Sequence, residues 1–363
     1  MTKILIEGYK QQSSFTLNVE EFKKFATVWP IEIRSRMTKD ITPEDIEWCD
    51  ILIDVRGGNP LSAYVVGEAK KAGRKVYLSL DDDLMETYPQ NYEGDVFRKS
   101  LIKVMSNTDR MITSSKYLGE KYKYKYGIDY TVVDTVVEPS QFKEDNTYEI
   151  GNHVEMLYAA GSQHIPFFDK LIKPILNQLH DRFADKLSLT IIGPDIEVSN
   201  VKLNVHKFSS MPFNEYRKFM DDNHFDIGLA PLFDSEFCRS KYFNKYLEYS
   251  TNNICGIYSN VMPYTLVVED GENGILADNN PESWLDAICK LLEKPLMIKN
   301  CSLKAKEHIL SNFSLVSITE RTIKEIPELF SYEAPPCAQR FCRFMRQRYL
   351  YYAIKRRLLS SIF

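Results

Sequence analysis

Two lysines and a glutamate follow an apolar run in the second half of the sequence, at spacings that place them on one helical face. The run, residues 226–231, is short and is followed by turn residues, which is typical of a buried parallel strand. Ser240 is a suitable N-cap for the next helix, and Lys241, Lys245 and Glu248 then fall at i, i+4 and i+7. Free backbone N–H groups, the helix dipole and two lysines would together suit a phosphate group. A solvated, charged helix face fits the same spacing equally well.

Small residues end two other predicted strands of this half. Gly161 and Ser162 form one turn, with His164 two residues further on. A Gly-Ser turn lets the backbone approach a diphosphate, whereas a lone histidine is more often structural. Gly193, followed by Pro194, repeats the turn one unit later, where a base or ribose could lie.

A third turn of the second half lies in residues 263–274, where Gly271 and Gly274 bracket a turn within the sequence VVEDGENG. Tyr264 and Thr265 would offer backbone N–H groups near Lys241. An ordinary hairpin-like connection is the alternative.

Three adjacent carboxylates, Asp81, Asp82 and Asp83, directly follow the predicted strand KVYLSL of the first half. Side chains at the carboxyl end of a parallel strand project toward the ligand side of the sheet. Mutual repulsion can raise a carboxyl pKa toward general-base use, and the group can also recruit a divalent metal. The alternative is a helix N-terminus, where Asp is favoured.

Several common cofactor and metal motifs are missing from the sequence. Gly8 ends the first strand without a G-x-G-x-x-G, and neither a P-loop, an H-E-x-x-H nor a C-x-x-C occurs. The seven cysteines are an odd set that predicts reduced core thiols. We therefore expect no cofactor and no metal site.

Apolar runs alternate with helical patterns along the whole chain, which indicates right-handed β-α-β units on parallel sheets. The predicted strands are residues 4–8, 31–35, 50–55, 75–80, 110–115, 156–161, 187–193, 201–208, 226–232, 253–259 and 273–277. The predicted helices are residues 18–27, 61–72, 96–106, 116–126, 166–182, 213–222, 240–250, 281–293, 298–312 and 315–330.

The 363 residues, 44% hydrophobic and 26% charged, predict a folded protein of two domains. The first domain spans residues 1–136, a polar linker 137–153, and the second domain 154–330. The N-terminus lacks the apolar core of a signal peptide, so we expect a cytoplasmic protein. Two doubly wound α/β domains would place ligands at the carboxyl ends of their strands, in a cleft between them.

Read together, these motifs resemble the GT-B glycosyltransferases of the large retaining family often called family four or group one. The resemblance rests on residues 161–164 with Asp169, and on residues 190–193, 226–232, 239–249, 264 and 267–274. The first half resembles the acceptor domain of the branch that has DDDL after its fourth strand, here residues 81–84. The resemblance covers residues 1–330 and implies two Rossmann-like domains that face a central cleft.

The resemblance also implies roles for single residues. Glu248 matches the second glutamate of the family's Glu-seven-residues-Glu pair, which implies a hydrogen bond to the donor ribose. Ser240 stands in place of the first glutamate, so Glu236 or Ser240 would contact the donor sugar. Lys241 and Lys245 take the place of the family's diphosphate-binding Arg/Lys pair and would stabilise the leaving diphosphate without a metal.

The complete set of predicted site residues follows. The predicted donor-binding residues are Gly161, Ser162, His164, Gly193, Pro231, Ser240, Glu248, Tyr264 and Thr265. The predicted catalytic residues are Lys241, Lys245 and Asp83, and the predicted acceptor-binding residues are Asp81 and Asp82.

The implied activity is transfer of a sugar from a nucleotide-sugar to a saccharide or lipid-linked saccharide, with retention, in bacterial-type surface polysaccharide synthesis. Two alternatives stay open. One is a metal-dependent GT-A-like transferase that uses Asp81 and Asp83. The other is a non-catalytic nucleotide-sugar-binding subunit.

The C-terminal tail differs in charge from the rest of the chain. Residues 339–363 hold seven basic and no acidic side chains, although the whole chain has a net charge of −4. Phe341, Met345 and Tyr349 recur at i, i+4 and i+8, which predicts an amphipathic helix at the inner face of the cell membrane. The alternative is the helix that crosses back to the first domain in GT-B proteins. The acidic body disfavours nucleic acid, and KYKYKY at 121–126 is expected to be a solvated face.

Overall fold

The structure is a computed structural model that describes residues 1–10, 13–144, 151, 153–193 and 195–337, apart from the side chains of Ser13 and Asp185. It divides into two compact units. Of the described residues, unit 1 comprises those of Met1–Val136 together with residues 315–337, and unit 2 comprises those of Val137–Ser314.

Unit 1 is built on a parallel six-stranded sheet with the order β2-β1-β3-β4-β5-β6. Its strands are β1 Thr2–Gly8, β2 Ile31–Met37, β3 Ile51–Val55, β4 Lys75–Leu80, β5 Arg110–Thr113 and β6 Tyr130–Val132. Its first helices are α1 Ser13–Val28, α2 Pro43–Trp48, α3 Pro60–Lys71, α4 Leu84–Thr87, α5 Tyr92–Met105 and α6 Lys116–Tyr126. The central strands are mostly apolar because helices cover both faces of the sheet.

Unit 2 has a second parallel sheet with the order β12-β11-β10-β7-β8-β9. Its strands are β7 Val154–Ala159, β8 Leu187–Gly193, β9 Asn204–Ser209, β10 Ile227–Ala230, β11 Cys255–Ser259 and β12 Ile275–Ala277. Its helices are α7 Ile165–Phe167, α8 Leu176–Phe183, α9 Phe213–Asp222, α10 Glu236–Arg239, α11 Asn244–Thr251, α12 Pro281–Glu293 and α13 Pro295–Asn312. A π-helical segment, Phe168–Ile172, and a 3-10 turn, Lys173–Ile175, connect α7 to α8.

The last described helices, α14 Leu315–Glu325 and α15 Glu328–Ser331, belong to unit 1. Glu328 accepts an ion-paired hydrogen bond from Lys75 of β4 at 2.8 Å, and the Phe330 ring packs edge-on against Phe25 of α1. The Thr2 hydroxyl donates to the Tyr332 carbonyl. The end of the second domain, predicted at residue 330, therefore moves to 314, because the chain after it packs on unit 1.

The alternating strand and helix pattern predicted from the sequence is present in both units. Each predicted strand overlaps an observed one, whereas β6, only three residues long, was not predicted. The predicted helix 166–182 is interrupted by the π-helical segment, and the predicted helix 315–330 is interrupted between α14 and α15. No helix within the described ranges is long and apolar enough to span a membrane.

A buried pair of carboxyl groups lies in the sheet of unit 1. Glu7 of β1 and Asp54 of β3 are register partners and are both fully buried. Burial raises the pKa of Glu7 well above its usual value, and the neighbouring Asp54 raises it further. Burial also raises the pKa of Asp54 to about 7. Two charges here would repel in a site without water, so the pair holds a proton at neutral pH.

We expect the stability of unit 1 to depend on this proton. Because the folded-state pKa is raised, the stability that the protonated pair contributes is complete at acidic pH and is lost as the pH rises through about 7. Raising the pH from 5.5 to 8 should lower the free energy of unfolding by about 2 kcal/mol. Asp54→Asn should flatten this dependence in denaturant titrations at the two pH values.

Glu20→Gln, on the exposed face of α1, is the matched control and should follow the wild-type pH dependence. If the free energy of unfolding changed with pH equally in Asp54→Asn and in wild type, the Glu7–Asp54 pair would not hold the proton.

Candidate functional site

The order of the strands in unit 2 places a switch point between β7 and β10. From β7 the chain builds outward to β8 and β9, and then returns to add β10, β11 and β12 on the other side. In open parallel sheets of this order, ligands bind beyond the carboxyl ends of the strands at the switch point. The turn Ser162–His164 follows β7, and Pro231 follows β10.

Glu248 and Lys245 lie together on α11. The Lys245 ammonium is 2.7 and 3.0 Å from the two carboxylate oxygens of Glu248. Tyr216 of α9 donates its hydroxyl to Glu248 Oε1 at 2.5 Å. Both charged side chains keep about a quarter of their surface exposed, 24% for Lys245 and 25% for Glu248, so a ligand can reach them.

His164 lies within the field of both predicted lysines. Its pKa falls to about 4, first because the ring is largely buried and then because Lys241 and Lys245 are positively charged nearby. The ring packs edge-on against Phe167, and the Tyr158 hydroxyl donates to the His164 carbonyl at 2.9 Å. The lysines after β10 therefore lie close enough to the turn after β7 for their charges to act on it.

The single helix predicted over residues 240–250 is wrong. α10 ends at Arg239, Ser240 is its C-cap, and α11 begins only at Asn244. The Ser240 side chain is buried and donates to the Glu236 carbonyl at 2.9 Å. Ser240 is therefore neither the N-cap of the lysine-bearing helix nor open to a donor sugar.

Lys241 lies in the turn between the two helices rather than on the face of α11. Its ammonium stands 4.4 Å from the centre of the Phe237 ring. Glu236 is exposed at the first turn of α10 and remains the predicted contact to the donor sugar.

The predicted residues at the strand ends differ in their exposure to solvent. Gly161 and Ser162 are exposed at the end of β7. Gly193 has φ 133°, and a Cβ there would lie 2.0 Å from the Ala160 carbonyl oxygen. Glycine is therefore needed for β8 to end beside β7. Pro231 is buried directly after β10.

The segment after β11 contributes the buried side chain of Tyr264. Tyr264 is 4% exposed and lies 4.8 Å, centre to centre, from the Tyr258 ring. Burial raises the pKa of its phenol, and the Glu248 charge adds to the shift. The Thr265 N–H donates to the Val261 carbonyl, so this amide is already paired.

Each of the three adjacent aspartates of unit 1 is paired with a cation. Arg56, which follows β3, contacts Asp81 at 2.6 Å and Asp82 at 2.9 Å. The Ser14 hydroxyl also donates to Asp81, at 2.6 Å. Asp81 and Asp82 stay partly exposed and keep their predicted place at the end of β4.

Asp83 is buried in a structural ion pair, so its predicted catalytic role is wrong. The side chain is fully buried, 2.6 Å from the Lys121 ammonium, and accepts a hydrogen bond from the Tyr122 hydroxyl at 3.0 Å. It cannot touch a substrate in this arrangement. Tyr122 is also buried and the Lys121 side chain is only 10% exposed, so only the end of KYKYKY forms the predicted solvated face.

The metal-dependent alternative needs Asp81 and Asp83 to share an open cation. These residues point to different cationic partners, Arg56 and Lys121. In the described part of the chain, no three His, Cys, Asp or Glu side chains are grouped to hold a metal ion.

Two residues that contact the predicted site were not identified from the sequence, Tyr216 beside Glu248 and Arg56 beside Asp81 and Asp82. Tyr216 lies within a correctly predicted helix, but nothing in its spacing links it to Glu248. Arg56 begins the turn RGGNP directly after a predicted strand. A basic residue at the end of a strand was a signal that could have identified it. The basic tail, for which membrane contact or a crossing helix was predicted, lies outside the described residues.

The fold is shared with solved glycosyltransferase structures at low sequence identity. HepE from Anabaena, in a structure described as a complex with UDP-glucose, is 10% identical with a TM-score of 0.64, over 90% of this chain and 100% of that one. A glycosyltransferase from Rickettsia africae is 14% identical with a TM-score of 0.62, over 92% and 99%. Sucrose-phosphate synthase from Thermosynechococcus elongatus is 10% identical with a TM-score of 0.59, over 91% and 99%.

No protein-family model matches the sequence, and no curated protein matches it either. At such identities the structural similarity shows the fold. Two six-stranded parallel sheets with flanking helices, as in these GT-B glycosyltransferases, confirm the predicted α/β class of two doubly wound domains.

We expect Asp83→Ala to destabilise the protein because it leaves the Lys121 ammonium in a mostly buried site without its 2.6 Å partner. The loss should be about 3 kcal/mol in urea unfolding. Lys123→Ala, which removes an exposed ion pair with Asp129, is the control and should cost under about 1 kcal/mol. An Asp83→Ala protein that is as stable as wild type but inactive would restore the catalytic interpretation.

Proposed function

We propose that this protein transfers a glycosyl unit from a nucleotide-sugar bound in unit 2 to a saccharide or lipid-linked saccharide acceptor. The observation that carries the proposal is the convergence of His164, Lys241, Lys245 and Glu248 at the switch point of unit 2. The fold shared with glycosyltransferases supports it, including the structure described as a complex with UDP-glucose.

The lysines suit the diphosphate of the donor. Their charge already lowers the pKa of His164, so the end of β7 is electropositive before any ligand binds. As the glycosidic bond breaks, negative charge grows on the departing nucleoside diphosphate. Lys241 and Lys245 would stabilise this charge in place of a metal ion.

Glu248 suits the ribose of the donor. Its carboxylate is fixed by Lys245 and Tyr216 and is 25% exposed. A fixed carboxylate accepts hydrogen bonds from vicinal hydroxyls, and these charge-assisted bonds are stronger than neutral ones.

The acceptor is assigned to unit 1. Asp81 and Asp82 are partly exposed and held by Arg56, so their remaining lone pairs can accept hydrogen bonds from sugar hydroxyls. The resemblance to the retaining family extends the proposal to retention of anomeric configuration and to bacterial-type surface polysaccharide synthesis. The basic tail would then hold the enzyme at the inner face of the cell membrane.

One observation favours a second candidate, a nucleotide-sugar-binding subunit without catalysis. Ser240, at the position of the family's first glutamate, is buried and bonded to the Glu236 carbonyl. The usual acidic contact to the donor sugar is thus missing from that position. Release of nucleoside diphosphate on addition of acceptor separates an enzyme from a binding subunit.

Nucleotide-sugar binding should raise the melting temperature, because a ligand that binds the native state stabilises it. At a hundredfold excess over the dissociation constant the gain is about 2.7 kcal/mol. Thermal unfolding with UDP-, GDP- and dTDP-sugars should therefore show a shift with one of them. The absence of a shift with all three at millimolar concentration would contradict the proposal.

Lys241→Ala should lower kcat/KM for the donor identified in this way by about a hundredfold, as expected for loss of a group that stabilises the leaving charge. Activity is measured as release of nucleoside diphosphate. Lys207→Ala, on β9 and paired with the exposed Asp195, is the matched control and should retain wild-type activity. Activity of Lys241→Ala within threefold of wild type would reject the assignment.

A further inference from the structure

Tyr216 connects a helix that no motif singled out to the predicted ribose-binding carboxylate. It lies on α9, between β9 and β10, whereas Glu248 lies on α11 beyond β10. The Tyr216 hydroxyl donates to Glu248 Oε1 at 2.5 Å, a short hydrogen bond of the charge-assisted kind. Two helices that are separate in the sequence thus meet at one carboxylate oxygen.

Lys245 completes the set. Its ammonium donates to Oε1 at 2.7 Å and to Oε2 at 3.0 Å, and lies 3.5 Å from the Tyr216 hydroxyl. It also stands 5.6 Å from the centres of the Tyr216 and Tyr249 rings. The two tyrosine faces and the carboxylate fix the ammonium from several directions, because aromatic faces attract cations.

The two oxygens of Glu248 therefore have different surroundings. Oε1 accepts from both Tyr216 and Lys245, which occupies its lone pairs. Oε2 accepts from Lys245 at the longer distance and has room for another donor, since each carboxylate oxygen offers about two lone-pair sites.

We propose that Tyr216 is a positioning residue that holds Glu248 so that Oε2 faces the ribose hydroxyls of a bound nucleoside diphosphate. The inference rests on the proposed function and adds to it a selectivity for ribonucleotides over nucleotides that lack these hydroxyls. Lys245, which donates to both carboxylate oxygens, contributes to the same orientation.

The protonation state of Tyr216 is suited to this role. Burial raises the pKa of its phenol, and the Glu248 charge raises it further. The phenol therefore keeps its proton and donates to Glu248 at neutral pH. A phenol that ionised would instead repel the carboxylate.

The test compares two ligands that differ only in the ribose hydroxyls. The ribonucleoside diphosphate that binds wild type most tightly, chosen from UDP, GDP and ADP, is paired with its 2′,3′-dideoxy analogue. Dissociation constants are measured by calorimetry for wild type and for Tyr216→Phe. The variant should bind the ribonucleotide about three- to tenfold more weakly, as for loss of one hydrogen bond, and the dideoxy analogue as wild type does.

Glu248→Gln should show the same selective loss. Adding Tyr216→Phe to it should have little further effect, because the two residues act through one carboxylate. Tyr246→Phe is the matched control. It removes a buried phenol from the opposite side of α11, where the hydroxyl meets His308 and Asn273, and should leave both dissociation constants unchanged.

Two outcomes would overturn the inference while leaving the proposed function intact. One is an equal loss of affinity for both ligands in Tyr216→Phe, which would indicate a structural link between α9 and α11. The other is an unchanged affinity for the ribonucleotide. A wild-type protein that binds none of the three ribonucleotides, and that no UDP-, GDP- or dTDP-sugar stabilises, would instead reject the proposed function itself. A thermal shift with a dTDP-sugar alone would overturn only the inference.

Discussion

The packing of Tyr249 against Gly228 is the contact on which the candidate site depends. A Cβ at position 228 would lie 2.5 Å from the Tyr249 ring, so glycine is required for α11 to approach β10 this closely. The Tyr249 hydroxyl then donates to the Leu229 carbonyl at 3.0 Å, which also satisfies its buried polar group. Since β10 pairs with β7 at the switch point, this contact places Lys245 and Glu248 where the sheet order opens a ligand site.

The two units use their charged residues differently. In unit 1, Asp83 and Lys121 form a buried pair and Glu7 and Asp54 share a buried site, so these carboxylates serve the fold. In unit 2, Lys245 and Glu248 are paired but partly exposed, and the Lys245 charge acts on the neighbouring His164. Partly exposed ion pairs contribute little to stability, so we expect the Lys245–Glu248 pair to contribute little to the stability of the fold.

The sequence predicted the architecture well because burial on both faces of a parallel sheet leaves long apolar runs. Most of the predicted strands, such as residues 75–80 and 187–193, agree closely with observed ones. The prediction failed where local patterns compete. The Ser240 helix start looked acceptable, but Ser235 caps α10 instead and the chain turns before α11. Capping residues recur too often to locate a helix start by themselves.

The sequence by itself determined the alternation of strands and helices, the spacing of Lys245 and Glu248, and the run of three aspartates. These are local properties, set by side-chain periodicity along one element. The tertiary structure decided that Asp83 is buried against Lys121, that Ser240 is closed to solvent, and that Tyr216 reaches Glu248. Each of these depends on which helices pack side by side, and the linear spacing of residues does not encode the contacts between elements that are distant in the chain.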